Sequence, residues 1–238
     1  MVELNGNTVR WPKHAKLHQR WRRVTDAATV RRLGLWARTL PCLDSFGYQM
    51  EHIAFRTLTV PFYADHTILE LGVPERFEPG FGVVAHLVPG LEVDGSDDAA
   101  PVLLNLTSPP IHEVNARLPI RLDDPAAAIA YLRFFCAYVW GEDGGFWIVD
   151  TPGDVPWDCP RDAAPRREAE AAIQPARFIE AAPDHFRIDA TVLYARALFR
   201  AKFKVQRTGM VEMMDDEPVS GDLPIMADKH DGPVRLIG

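Results

Sequence analysis

Hydrophobic and polar positions along this chain change period several times, and each change marks an element. The clearest stretch runs from Asp123 to Val149. Ala128, Tyr131, Leu132, Phe135, Tyr138 and Val139 recur at helical spacing, and Phe134, Cys136 and Trp140 widen the apolar face until it nearly surrounds the helix. Asp123 or Asp124 can accept hydrogen bonds from the first free backbone N–H groups, and Pro125 suits the first helical position, where its missing N–H costs nothing. The spacing therefore predicts a helix from Pro125 to a stop at Gly141, covered on most sides. Gly144 and Gly145 then lead into Phe146–Val149, a short strand by composition.

Upstream, Pro12 opens a predicted helix through about Val24, with Leu17, Trp21 and Val24 on one face. Thr25 or Asp26 caps a second, in which Val30, Leu33, Trp36 and Leu40 share a face until Pro41. From Cys42 to about Asn115 the period shortens towards two. Residues 55–62, 63–71, 82–88 and 102–106 read as strands of an antiparallel meander, with turns at Gly72-Val73-Pro74 and Pro89-Gly90.

Downstream, Thr151–Pro175 holds five prolines and reads as a long exposed loop with some helix around Arg166–Ile173. Arg177–Ala181 is a short strand candidate. From Ala190 to Val205 the odd positions Leu193, Ala195, Ala197, Phe199, Ala201, Phe203 and Val205 are apolar, while Arg196, Arg200, Lys202 and Lys204 fall on even ones. That pattern predicts one long strand with a wet, basic face. Gln206–Gly209 turns it into Met210–Met214, giving a hairpin. Asp215-Asp216-Glu217-Pro218 is expected on a solvated turn, and the remainder as an extended surface tail.

Together these elements predict an α+β protein: a basic N-terminal helical pair (residues 1–41), an antiparallel strand-rich middle (42–118) and a C-terminal helix packed on a curved antiparallel sheet (119–238). The last two parts can share one core. By element order alone the C-terminal part resembles a cystatin-like roll, a fold that can enclose a pocket between helix and sheet. Fold by itself does not give function.

Composition changes this picture in one respect. The net charge of −7 conceals an asymmetry, because residues 1–40 hold nine Lys or Arg against Glu3 and Asp26 and so carry +7, leaving −14 for the rest. Lys13, Lys16, Arg20, Arg22, Arg23, Arg31 and Arg32 are thus candidates for holding an acidic protein partner or a second copy of the chain. Nucleic acid is a further alternative, since Trp11, Trp21 and Trp36 stand among these cations. No glycine turn of a helix-turn-helix separates the two helices, however, and the tryptophans fall on apolar stripes as core anchors. No run is long and apolar enough for a membrane span, and the first residues lack the apolar region of a signal peptide, so a cytoplasmic location without membrane partners is expected. Cys42, Cys136 and Cys159 read as free thiols.

Candidate chemistry is sparse. Ser108, His112, Glu113 and Asn115 gather a hydroxyl, an imidazole, a carboxylate and an amide around Pro109-Pro110, as a stiff ligand-binding loop would. No nucleophile elbow surrounds Ser108, so no catalytic residue is nominated. His14 and His18 stand four apart but have no third ligand, and the acidic run Glu92–Asp98 lacks the terminal Glu of a calcium loop. No metal and no cofactor is expected. The leading expectation is a binding or accessory protein that uses the basic arm. The alternative is an enzyme or small-ligand binder with a pocket in the C-terminal α+β part, rimmed by residues 107–115.

Overall fold

The computed structural model describes residues 9, 11, 17, 21–43, 47–77, 80–91, 100–226 and 229–237. In chain order the elements are β1 (Arg22–Arg23), α1 (Ala27–Ala37), β2 (Ala54–Thr59), β3 (His66–Pro74), β4 (Phe81–Pro89), β5 (Val102–Leu103), α2 (Pro109–Arg117), α3 (Pro125–Tyr138), β6 (Trp140–Gly141), β7 (Gly144–Gly145), β8 (Trp147–Val149), α4 (Ala164–Ala172), β9 (Arg177–Ala181), β10 (His185–Tyr194), β11 (Ala197–Gln206), β12 (Val211–Ser220), β13 (Lys229–Asp231) and β14 (Val234–Ile237). Helices and antiparallel strands make this an α+β chain, and among the described residues no helix is long and apolar enough to cross a membrane. It divides into two compact units. One takes described residues of Gln19–Asn105 and Asp228–Gly238 with residues 9 and 11, and the other those of Leu106–Ala227 with residue 17.

The first unit is a sheet in the order β1-β2-β3-β4-β14-β13, with β5 also on β4. Phe55, Leu69, Leu71, Val73, Val84 and Val88 turn to one side and pack with Leu33 and Ala37 of α1. That helix starts where a cap was expected, because the Asp26 carboxylate accepts from the Thr29 backbone N–H at 2.8 Å. The same bond holds the Asp26 carboxyl below its usual range. The helix is therefore core rather than a detached arm. The expected first helix also ends differently. Arg22 and Arg23 pair with Thr57 and Arg56, and Val24 donates to the Phe55 carbonyl, so this stretch satisfies its backbone on the edge of the sheet. Residues 12–16 and 18–20 lie outside the described residues, as does the acidic run 92–98.

On the other side Arg56 stands directly opposite Glu70, its Nε donating to Oε2 at 2.6 Å, and each side chain is 8% exposed. The guanidinium lies 4.2 Å from the ring centres of both Trp11 and Trp21. Two indole faces thus stand where water would otherwise solvate the cation. Val9 and Trp11 come so close to β3 that a Cβ on Gly72 would lie 2.6 Å from Val9 Cγ1. This is why Gly72-Val73-Pro74 continues the strand instead of turning it. The chain reverses further on, where Glu75 N–H donates to the Gly80 carbonyl. The fourth strand stops at Leu103, and the C-terminal segment is a β13–β14 hairpin paired to β4, with Val234 buried, where a surface tail was expected.

In the second unit the sheet runs β12-β11-β10-β8, with β9 pairing β10 beyond β8. Here α3 packs on β8, β9 and β10 as its all-round apolar pattern requires, its cap being Asp124, which accepts from Ala127 N–H at 2.8 Å. The helix ends one turn before Gly141, because Trp140-Gly141 pairs with Gly144-Gly145 instead. Residues 109–117 form α2 rather than a loop. Pro109 and Pro110 occupy its first turn, where no N–H is needed, and Ile111 and Val114 give it a buried face.

The predicted long strand is two strands. Ala195, at φ 50°, turns β10 into β11, so Tyr194 pairs with Ala197 and Ala190 with Ala201. Apolar residues therefore fall on even positions in β10 (Phe186, Ile188, Ala190, Val192) and odd ones in β11 (Phe199, Ala201, Phe203, Val205). A two-residue turn reverses parity in this way. The acidic run 215–217 belongs to the edge strand β12, with Asp215 opposite Lys202 and Glu217 opposite Arg200. Carboxylates and Pro218 on an edge discourage pairing with foreign strands.

Two stability measurements follow. Replacing Arg56 by Met, or Glu70 by Leu, leaves one buried charge unpaired and should lower urea-unfolding stability by about 3–5 kcal/mol, while the double variant should lose far less than the sum. Additive losses would show that the pair is not coupled. The second concerns His86, which is buried edge-on against Trp36 at 4.9 Å and whose Nδ1 has no hydrogen-bond partner among the described residues; burial pushes its pKa down from 6.5 to about 3. Between pH 6.5 and 3 the unfolded chain binds a proton that the folded chain refuses, so stability falls as pH falls through this window. Going from pH 7.5 to 4.5, the wild type should lose about 2–3 kcal/mol more than His86→Phe.

Candidate functional site

The second sheet presents two different faces, because side chains alternate along each strand. One is the apolar side just described. On the other, one end is apolar: Trp147, Val149, Leu193 and Leu198 pack with Ala169 of α4, Leu223 and Ile225. The opposite end is polar and is built in rows across the strands. One row runs Glu180, Arg187, Lys204, Glu212; the next Arg177, Asp189, Lys202, Asp215; the third Thr191, Arg200, Glu217. The expected basic face is therefore corrected. Arg177, Arg187, Arg200, Lys202 and Lys204 face Glu180, Asp189, Glu212, Asp215 and Glu217, so the surface is electrically balanced. The basic strand β11 is flanked by carboxylates brought from strands that the alternation of one segment could not reveal.

Most of these charges are held by a neighbour. Lys202 Nζ lies 2.6 Å from Asp215, Arg187 Nη1 3.0 Å from Glu180, and Arg177 Nη2 3.4 Å from Asp189. The Lys202–Asp215 hydrogen bond raises the lysine pKa and lowers the carboxyl's. Exposed pairs of this kind fix geometry more than they stabilise the fold.

A groove of about 420 Å³ crosses this end of the sheet, lined by residues 174–177 on one side and by Asp189–Thr191, Arg200–Lys202, Asp215 and Glu217. Its wall is anchored. Thr191, 1% exposed, donates to the Gln174 carbonyl at 2.8 Å and accepts from the Gln174 N–H at 2.9 Å. Ala176 N–H donates to Asp150 Oδ1 at 2.7 Å, and Asp150 is in turn held by Arg133 at 2.6 Å. The segment after α4 is thus pinned across the sheet by part-buried bonds, which fixes one wall of the groove.

The residues nominated from sequence fall elsewhere. Ser108 is the N-cap of α2, but its side chain makes no capping bond. His112 faces Phe135 of α3 with ring centres 5.8 Å apart, and Glu113 is exposed on the same helix. Asn115 Nδ2 donates to the Tyr131 hydroxyl, which donates to the Gly209 carbonyl, both at 2.8 Å. A Cβ on Gly209 would lie 2.2 Å from Asn115 Nδ2, so this glycine is required by the contact as well as by its φ of 85°. Of the four, only Asn115 reaches the hairpin, and it does so as a structural link. Arg22, Arg23, Arg31 and Arg32 are exposed on the first unit, with Arg32 bonded to the Leu91 carbonyl at 3.1 Å. Lys13, Lys16, Arg20, His14 and His18 lie outside the described residues. Among the described residues no group of three or more His, Cys, Asp or Glu could hold a metal ion.

The groove residues Gln174, Arg177, Asp189 and Thr191 escaped the sequence reading. The signal was present as the change of parity between residues 192 and 199, which betrays the turn and hence the pairing. In comparisons with protein-family models, curated proteins and solved structures, nothing matches this chain.

Tyr131→Phe should cost about 1–3 kcal/mol in thermal or urea unfolding, because it strands the Gly209 carbonyl and the Asn115 amide. Ser108→Ala should change stability by less than about 0.5 kcal/mol. The opposite ranking would show that the hydroxyl of Ser108, and not the Asn115–Tyr131–Gly209 chain, organises this region.

Proposed function

We propose that this chain is a binding protein whose second unit takes a small polar ligand in the groove over β10, β11 and β12. One observation carries the reading: a groove of about 420 Å³ whose wall is fixed by the part-buried Thr191–Gln174 and Asp150–Ala176 bonds. That volume lies in the range of small-ligand sites, and a preformed wall spares the ordering cost of closing a loop on the ligand. The order of a helix followed by a long antiparallel hairpin supports reading the unit as a cystatin-like roll. The groove, however, lies on the sheet face lined by charged rows, away from residues 107–115. A fragment library screened by amide chemical-shift mapping on the full chain tests this. Shifts gathered at residues 174–177, 189–191, 200–202 and 215–217 are expected. Fragments that perturb only other surfaces would refute it.

A second reading is association with an acidic protein or another copy of the chain through exposed arginines, supported by Arg22 and Arg23 standing on an edge strand with both side chains in solvent. Nucleic acid is the remaining alternative for the same cations. Deleting residues 1–40 is not the test, since Leu33 and Ala37 belong to the core. Arg22, Arg23, Arg31 and Arg32 are exposed, so reversing them to Glu should leave the chain folded by circular dichroism. Light scattering behind size exclusion should then show a salt-sensitive oligomer in the wild type that the variant loses, and an absorbance excess at 260 nm would point to nucleic acid. Identical monomers would dismiss this reading.

A further inference from the structure

Resting on the groove as a ligand site, the geometry points to a compact zwitterion, a free α-amino acid, as the class of ligand it takes. Six charged side chains line the groove, Arg177, Arg200 and Lys202 against Asp189, Asp215 and Glu217, so a ligand of net charge leaves an imbalance while a zwitterion does not. Four of the six are already committed. Arg177 is held by Asp189 at 3.4 Å and Lys202 by Asp215 at 2.6 Å. The only hydroxyl donor of Thr191 is already given to the Gln174 carbonyl, and the oxygen also accepts from the Gln174 N–H.

Arg200 and Glu217 remain. They stand directly opposite each other in the β11–β12 register, yet among the described residues their side chains share no ion pair and neither side chain makes a hydrogen bond. Directly opposed residues have their Cβ atoms about 5 Å apart, so a guanidinium and a carboxylate rise side by side from neighbouring strands, and both line the groove. An α-carboxylate suits the two parallel N–H groups of Arg200, and an ammonium three bonds away suits Glu217. Binding both ends of one molecule pairs each charge as water leaves, whereas an acid or an amine alone pairs one charge and desolvates the other unpaired. The Lys202–Asp215 pair beside them is already neutralised internally, so it leaves the unpaired charges of the slot to Arg200 and Glu217.

The test titrates the full chain with each of the twenty protein amino acids, read by amide shifts and calorimetry. For whichever binds, the matched molecules lacking only the ammonium or only the carboxylate are titrated in parallel; for leucine these are 4-methylpentanoate and 3-methylbutylamine. At least one amino acid should bind with a dissociation constant on the order of 1 mM or tighter, shifting residues 189–191, 200–202 and 215–217. Both matched analogues should bind at least about tenfold more weakly, and Arg200→Gln and Glu217→Gln should each lose about tenfold or more. Both side chains are solvent-exposed on formed strands, so circular dichroism should show the variants folded. If an analogue binds as well as its parent amino acid, or fragments map to the groove while no amino acid does, the ligand class is wrong and the groove stands as a site. If neither amino acids nor fragments perturb these residues, the site itself is wrong.

Discussion

The first sheet depends on one buried ion pair. Arg56 and Glu70 sit opposite each other on adjacent strands, flanked on the same face by Ala54, Leu58 and Ile68, and neither charge can be left there alone. Removing a charge from water costs several kcal/mol, and a single partner in good geometry offsets that only when the remaining faces of the ion are also occupied. Trp11 and Trp21 occupy them, one on each side of the guanidinium. The consequence is positional. The stretch bearing Val9 and Trp11 must lie against the sheet, Gly72 must lack a side chain to admit it, and Arg22 and Arg23 are drawn onto the edge beside β2. Of the three tryptophans that suggested either base stacking or plain core anchoring, Trp11 and Trp21 serve a cation of their own chain, and Trp36 packs on the core.

Opposite charges organise the second unit in another manner. Its exposed rows are paired across strands at the surface, where pairing contributes little to stability but fixes which side chains stand together. Balanced rows make a surface without long-range attraction for acid or base, so the ligand proposed for it would be recognised by local matching of charge rather than by steering. The net charge of −7 is therefore a poor guide to this face. The carboxylates of β12 that contribute to the deficit are partly spent on β11, and they also protect a free sheet edge.

Much of the second unit was legible in the sequence. Asp124-Pro125 followed by an apolar run with no polar side specifies a capped, enclosed helix, and α3 is that helix. Asp26 likewise marks the start of α1. The meander of β2, β3 and β4 was readable from β-branched runs broken by prolines. The ends of strands were less so. Gly72-Val73-Pro74 has turn composition, but it sits in a strand because the glycine is needed for close approach of a distant segment. Pro109-Pro110 has loop composition, yet it opens a helix because the first turn needs no N–H donors there. The apolar residues from 193 to 205 alternate through Ala195 and Ala197 as though no turn intervened, and small residues at a turn do not interrupt such a count.

Local periodicity, caps and composition, which depend on neighbours within a few residues, determined by themselves that this is an α+β chain with antiparallel strands, a buried central helix and three separate cysteines. Only the tertiary structure decided what stands across from what. Arg56 meets Glu70 and two indoles, Asn115 meets Tyr131 and Gly209, the last strands return to β4, and Arg200 stands opposite Glu217 in the lining of the groove. Each of these pairings is set by strand register and by which segments share a core. Register shifts by one residue move every side chain to the other face, so the site is a property of the pairing and not of any segment taken alone.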